Sequence, residues 1–298
     1  MVRQYKIHTN LDGTDDKVWD VTNGKVRFYQ PSNLGLQSTN NIWQSNGIGV
    51  MGTRSITQPQ IEFKLETFGE SLEENYRLMK DFINDILNKK FVTLEYQTEI
   101  FQVYADLALA EVTKTEGYGK NGTFSEKITF DIITKWYTYE NLTFDMIKNG
   151  KVIAGKSKIY GGTAPGSYKY VEGISYTYYG ETNIERLSRW DIKDEIFSFM
   201  GILYPQLPKT PAGVRFLDDT GNEYTAIVFK TEELQDYILI NTDVNDETYQ
   251  GWKGTTALNL FPVMDFERYR TRIIEKGQME LINLSKAEFK IKRKADFV

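Results

Sequence analysis

A mainly β chain in two domains is what this sequence predicts, and three observations carry the prediction. Aromatic residues make up 14% of the 298, with 5 Trp, 19 Tyr and 17 Phe, a load that suits pleated, half-buried surfaces. Several segments alternate apolar and polar residues with period two. The length corresponds to about two domains at roughly 150 residues each.

In chain order, the first candidate element is Gly47-Ile48-Gly49-Val50-Met51-Gly52, which matches G-x-G-x-x-G letter for letter. A dinucleotide site needs a strand before this motif and a helix opening on it. Here polar Gln44-Ser45-Asn46 precedes it, and the stretch after it contains Pro59, so the motif reads as a glycine-rich loop or hairpin. Ile61, Phe63 and Leu65 then alternate as one face of a strand. Ser71 to Asn88 is the one segment that reads as a helix. Leu72, Tyr76, Met79, Ile83 and Ile86 follow a 4-3-4-3 stripe, widened by Phe82 and Leu87, and Ser71 with Glu74 forms a capping box. Phe101, Val103, Ala105, Leu107 and Leu109 make the next strand. Glu111 to Lys127 reads as a long hairpin turning at Asn121-Gly122, with Tyr118 and Asn121 as candidate oligomer contacts.

The glycine-bearing stretch from Glu140 to Gly166 marks the domain junction, giving domains 1–139 and 140–298. Later strand candidates are Tyr224 to Phe229, Tyr237 to Ile240, Met279 to Ile282 and Ala287 to Lys292. Residues 183–212 hold a charged run, the apolar stretch Trp190 to Tyr204, and the proline-rich end Pro205 to Pro211. That much apolar surface, stiffened by proline, is read as an arm projecting toward a partner, with Trp190, Phe197, Phe199 and Tyr204 as its candidate anchors. The alternative is that Ile196 to Leu203 is a core strand, which looks the same by periodicity.

Composition excludes much chemistry. The chain has no cysteine and a single histidine, His8, which removes thiolate nucleophiles, cysteine-ligated zinc and multi-histidine metal sites. Thirty-six basic against 41 acidic residues give a net charge of −5, the wrong sign for gripping nucleic acid. The N-terminus lacks a signal peptide's apolar stretch, and Phe199 to Tyr204 is far too short to span a membrane, so a soluble product made in a cytoplasm is expected. Asp243 to Thr248 begins like a calcium loop but puts Thr248 where glycine is needed and Gly254 where the bidentate Glu belongs; it reads as a polar turn. The basic tail Lys290, Lys292, Arg293 and Lys294 reads as the wet face of a terminal strand. No catalytic, cofactor or metal residues are assigned.

Beyond composition, the order of segments carries a resemblance. PSNLGL, then GIGVMGTR, the strand QIEFKLETFG, the helix with YRLMKDFINDILNKK, the strand FVTLEYQT and the run from YADLALAEV to KWYTYE resemble the N-terminal domain of siphophage distal tail proteins. YKYVEGISYTYYG and DYILINTDVNDE are similar to that family's C-terminal domain, and the overall match is to those of lactococcal phages. The resemblance implies an N-terminal β-sandwich with one helix and a long hairpin, followed by a galectin-like β-sandwich. It implies a homo-hexameric ring in the virion's tail tip, or baseplate, assembled in the host cytoplasm. The implied partners are the tail tube protein, a tail-associated hub protein and receptor-binding proteins, with DNA passing through unbound and no membrane. A carbohydrate-binding module or cell-wall glycosidase is the alternative function. True galectins use a histidine in the sandwich, and this second half has none.

Overall fold

The computed structural model describes residues 3–35, 37–57, 60–114, 125–145, 147–148, 151–152, 159–161, 169–170, 177–178 and 189–295. Two compact units emerge, one of Met1–Thr138 with Ala295–Val298, the other of Tyr139–Lys294.

The first unit is built from β1 (Gln4–His8), β2 (Val18–Asp20), β3 (Val26–Ser32), β4 (Gln37–Ser45), β5 (Ile48–Thr57), β6 (Gln60–Thr67), α1 (Leu72–Leu87), β7 (Val92–Gln97), β8 (Gln102–Thr113) and β9 (Ser125–Ile132). Antiparallel pairing runs β2-β1-β7-β8 on one side and β3-β6-β9-β8 on the other. Strand β8 serves both runs, pairing β7 up to Leu107 and β9 from Leu107 onward, with a register shift between Leu109 and Glu111. Such a bulge bends a strand and lets one chain segment turn the corner between two sheet layers. The alternation in β6 is realised as expected: Ile61, Phe63, Leu65 and Thr67 are all buried. Their face meets Phe28, stacked 4.7 Å from Phe63, and Tyr5, edge-on at 5.4 Å.

Helix α1 closes this core. Ser71 caps it by accepting the Glu74 N–H, while the Glu74 carboxylate reaches back to the Glu70 N–H instead of to Ser71. Much of the expected face turns inward, with Met79 and Ile83 packed against the core, but not all of it. Asn75, Phe82 and Ile86 are buried, whereas Leu72 and Tyr76 are exposed. The reason is a polar one: the Asn75 side-chain oxygen accepts the Gly69 N–H at 2.7 Å, tying the incoming chain to the first turn and rotating the helix about that anchor.

The second unit contains β10 (Tyr137–Asp145, whose first residues belong to the first unit), then short strands β11 (Ile147–Lys148), β12 (Lys151–Val152), β13 (Ile159–Gly161), β14 (Lys169–Tyr170) and β15 (Thr177–Tyr178). It continues with β16 (Arg189–Ile192), β17 (Ile196–Pro205), β18 (Ala212–Leu217), β19 (Glu223–Phe229), β20 (Tyr237–Asn241), β21 (Thr248–Lys253), β22 (Thr256–Asn259), β23 (Gly277–Ile282) and β24 (Leu284–Lys294). Two antiparallel sheets, β10-β24-β17-β20-β21-β22 and β16-β23-β18-β19, enclose a core centred on Phe199, Phe216, Phe229 and Phe289. The chain is therefore mainly β, with sandwich-like sheets in both halves and one α-helix among the described residues.

Three expectations need correction here. The described part of residues 183–212 is no projecting arm: β17 lies between β24 and β20 and pairs with both. Phe199 is 3% exposed in the core, Trp190 packs against that core from β16, and Phe197 and Tyr204 are half-buried. An apolar strand hydrogen-bonded on both edges has its backbone and one face already satisfied, so it cannot leave the sheet to grip a partner. The proline-rich segment is likewise a tight turn between the two sheets, folded around Asn283. That side chain donates to the carbonyls of Leu207 and Thr210 and accepts the Leu207 N–H. Finally, the basic tail is not simply wet. Lys292 is buried and paired with Asp243 at 2.8 Å, and Arg293 pairs with Glu140 at 3.0 Å.

Candidate functional site

The largest set of apolar side chains left open on the first unit is a ribbon made by β4 and β5. These strands pair only with each other among the described residues and form a two-stranded sheet of their own. Ser45 opposes Ile48, so the connecting loop is the pair Asn46-Gly47, with φ of 51° and 80°. Positive φ at both positions is the signature of a type I′ turn, and Asn-Gly is its preferred sequence. The glycine-rich motif is thus a hairpin with no helix following it, and its third glycine, Gly52, lies within a strand. A phosphate would find no helix N-terminus there.

Cross-strand register decides what the ribbon presents. Ile42 opposes Met51 on one face; Trp43 opposes Val50 and Ser45 opposes Ile48 on the other. All five apolar side chains are exposed, Trp43 by 67% and Ile48 by 70%. An isolated two-stranded hairpin is marginal in water, and burying such side chains stabilises by about 1.5–3 kcal/mol each. Apolar groups on both faces require cover on both faces.

The hairpin expected at Glu111 to Lys127 is different in kind. Its arms are sheet strands: Glu111, Val112 and Thr113 oppose Thr129, Ile128 and Lys127, and β9 pairs on its other edge with β6. Tyr118 and Asn121 lie outside the described residues. Asn46-Gly47, flanked by nine- and ten-residue strands, instead makes the hairpin that the glycine-rich motif was expected to form as a loop or hairpin.

Among the described residues, the ionisable groups singled out by the sequence are engaged in structural contacts. His8 is buried, with Nδ1 2.7 Å from Asp16 Oδ2 and Nε2 2.8 Å from Glu95 Oε2. A carboxylate lies against each ring nitrogen, so neither faces a serine or another nucleophile. Burial alone would raise the Glu95 carboxyl; hydrogen bonds from Lys6 and His8 outweigh it and hold the group below its ordinary value. In the Asp243–Asp246 turn, the Asp243 carboxylate accepts the Asn245 N–H and the Lys292 ammonium, so a lysine occupies the place a cation would take. Among the described residues, no three His, Asp or Glu side chains cluster as a metal site, and no helix is long and apolar enough to cross a membrane.

The two sandwich-like units match a class of phage tail proteins. The family model for the distal tail protein N-terminal domain covers residues 4–133, and that for the Dit C-terminal domain covers 135–298. The chain belongs to the distal tail protein (Dit) family. It is 94% identical to the distal tail protein of Lactococcus phage p2 over 298 residues, the full length of both. A solved structure of the phage p2 baseplate in its activated conformation with Ca contains a chain that matches with a TM-score of 0.79, 94% identity and complete coverage of both. The crystal structure of SPP1 Dit matches at a TM-score of 0.50 and 11% identity over 98% of this chain and 99% of that one, a likeness of fold alone.

Proposed function

We propose that the chain is a structural virion protein of the phage tail tip, closing into a homo-hexameric ring that joins the tail tube to the other baseplate components and anchors receptor-binding proteins. The β4–β5 ribbon carries this reading. A protein whose apolar ribbon needs cover on both faces is incomplete as a monomer, and a head-to-tail contact that closes into a ring provides that cover identically for every copy. The near-identical relative in the phage p2 baseplate supports the location, and the family resemblance supports six-fold closure. A net charge of −5 suits a ring through which DNA passes without being held. The same reading makes the chain no enzyme and assigns it no cofactor; the occupied nitrogens of His8 support this. The receptor-binding contact is not assigned to Trp190, Phe197, Phe199 or Tyr204, because the sandwich already uses that stretch.

Mass measurement by light scattering tests the reading. The full chain should run as a hexamer, and Trp43→Ser combined with Ile48→Ser should reduce it to monomers with unchanged circular dichroism. A monomeric parent chain, or a double variant that keeps the parent's mass, overturns the assignment of the ribbon.

A further inference from the structure

The sequence holds Asn-Gly at 23–24, 46–47, 121–122 and 149–150, and the first two pairs fall among the described residues. Asn followed by glycine is prone to an internal reaction, because glycine has no side chain to hinder its own nitrogen. The glycine nitrogen gives up its proton and attacks the Asn side-chain carbonyl carbon, Cγ. The Cγ–Nδ2 bond breaks, and ammonia leaves with that proton as a five-membered succinimide closes. Water then opens the ring. Attack at Cγ gives aspartate; attack at the main-chain carbonyl gives isoaspartate, whose backbone runs through Cβ and Cγ. Nothing but water is consumed, so the surroundings of each pair decide its fate.

The two described pairs differ in those surroundings. At Asn23-Gly24 both reacting groups are held. The Gly24 N–H donates to the Asp20 carbonyl at 2.9 Å, the Asn23 N–H to the Asp20 carboxylate at 2.9 Å, and Asn23 Nδ2 to the same carboxylate at 3.4 Å. Arg27 donates to the carbonyls of Gly24 and Asn23 at 2.7 and 3.3 Å. Releasing that loop forfeits several bonds at about 0.5–1.5 kcal/mol each. Asn46-Gly47 has no such hold. Both residues are exposed, and among the described residues neither the Asn46 amide nor the Gly47 N–H has a hydrogen-bond partner. No heavy atom lies within 4 Å of the place a Gly47 Cβ would take. A closed type I′ turn keeps the two reacting atoms apart, so cyclisation waits for the tip to open. An uncovered two-stranded ribbon opens readily.

We propose that Asn46-Gly47 is a self-modification site that converts to aspartate and isoaspartate in subunits whose ribbon is uncovered. Both products add a negative charge at the tip, and isoaspartate also lengthens the backbone by a methylene. The lengthened turn no longer fits the two-residue loop that sets Ser45 against Ile48 and Trp43 against Val50. One consequence rests on the ring assignment above: the tip acts as a clock. Covered tips keep their amide, and subunits left unassembled lose the shape that assembly needs.

Peptide mapping of the full chain by mass spectrometry tests it, with fragmentation separating isoaspartate from aspartate. The chain is aged in mildly alkaline buffer, dilute and concentrated, beside a urea-denatured sample in which both pairs react freely. In the dilute folded chain Asn46 should convert about tenfold faster than Asn23, or more. Conversion of Asn46 no faster than that of Asn23, or an Asn46 left intact once the denatured sample has converted, overturns the site. Concentration should slow Asn46 in step with the growth of the oligomer seen by light scattering, and isoaspartate should collect in the fraction that stays unassembled. An oligomer whose Asn46 reacts as fast as the dilute chain's, with isoaspartate spread evenly over both fractions, overturns the clock. A chain that stays monomeric at every concentration yet converts at Asn46 overturns the ring, and the clock with it, while supporting the modification site.

Discussion

Strands β5 and β17 are each ten residues long and rich in apolar side chains, yet the molecule uses them in opposite ways. β17 is paired on both edges and sends Phe199 and Leu203 into a core that excludes water. β5 has one partner, and its Ile48, Val50 and Met51 face solvent. The difference lies in what stands beside each strand. Hydrophobic side chains stabilise whichever structure removes them from water, and for β17 that structure lies within the chain. For β5 it lies outside the described fold, which is why the ribbon is the feature that points to assembly.

Breaking the β17 side should have the largest effect. Phe199→Ala removes a ring that packs 5.8 Å from Phe216 and 5.9 Å from Phe289, and it should cost about 3–5 kcal/mol in denaturant unfolding of the second unit. A loss below about 1 kcal/mol would show that β17 is not core. The same truncation on the ribbon should behave in the opposite sense. Trp43→Ala alone should leave the unfolding midpoint of dissociated protein within about 0.5 kcal/mol of the parent while weakening the oligomer, read as mass against dilution.

A subtler substitution acts on the turn. Gly47 has φ of 80°, and no heavy atom lies within 4 Å of the place a Cβ would occupy, so Gly47→Ala is penalised by conformation alone. About 1–2 kcal/mol is expected, appearing as looser association rather than as a lower melting point. The smallest effect is on pH dependence. Glu95 is held below its ordinary value when folded, chiefly by Lys6 and His8 acting against its burial. Its contribution is therefore present above the unfolded carboxylate pKa, about 4.3, and is lost as pH falls through the lower folded value. Glu95→Gln should flatten that acid-side fall in melting temperature. An unchanged slope would assign the fall to other carboxylates.

Much of the fold was legible in the sequence. The alternation of Ile61, Phe63 and Leu65 is visible because β6 has one face inward, and Ser71 announces the helix start through a local hydrogen bond. What the stripe did not show was Asn75, a polar residue buried by a backbone contact, which hydropathy counts as exposed. The arm was misplaced for a related reason: a buried strand and a sticky loop have the same composition, and only pairing partners distinguish them. The hairpin around Asn46-Gly47 was legible, but the apolar surface it presents was not, because its apolar side chains lie on both faces. Period-two reasoning looks for one wet side, and Ile42 with Met51 opposite Trp43 with Val50 leaves neither side wet.

That two-sided ribbon also sets a race against time. Newly made chains expose it before any neighbour arrives, and its outer edges offer unpaired N–H and C=O groups to whatever strand meets them first. On the proposed ring, closure and indiscriminate strand addition would both accelerate with concentration, so productive assembly would depend on how many subunits are present at once and how fast they find each other. Arg54, on β5 and bound to Asn40 opposite, places a charge within the ribbon, the kind of residue that discourages indiscriminate strand addition. Replacing it by an uncharged residue should leave the finished particle intact while lowering the yield of soluble protein at high expression.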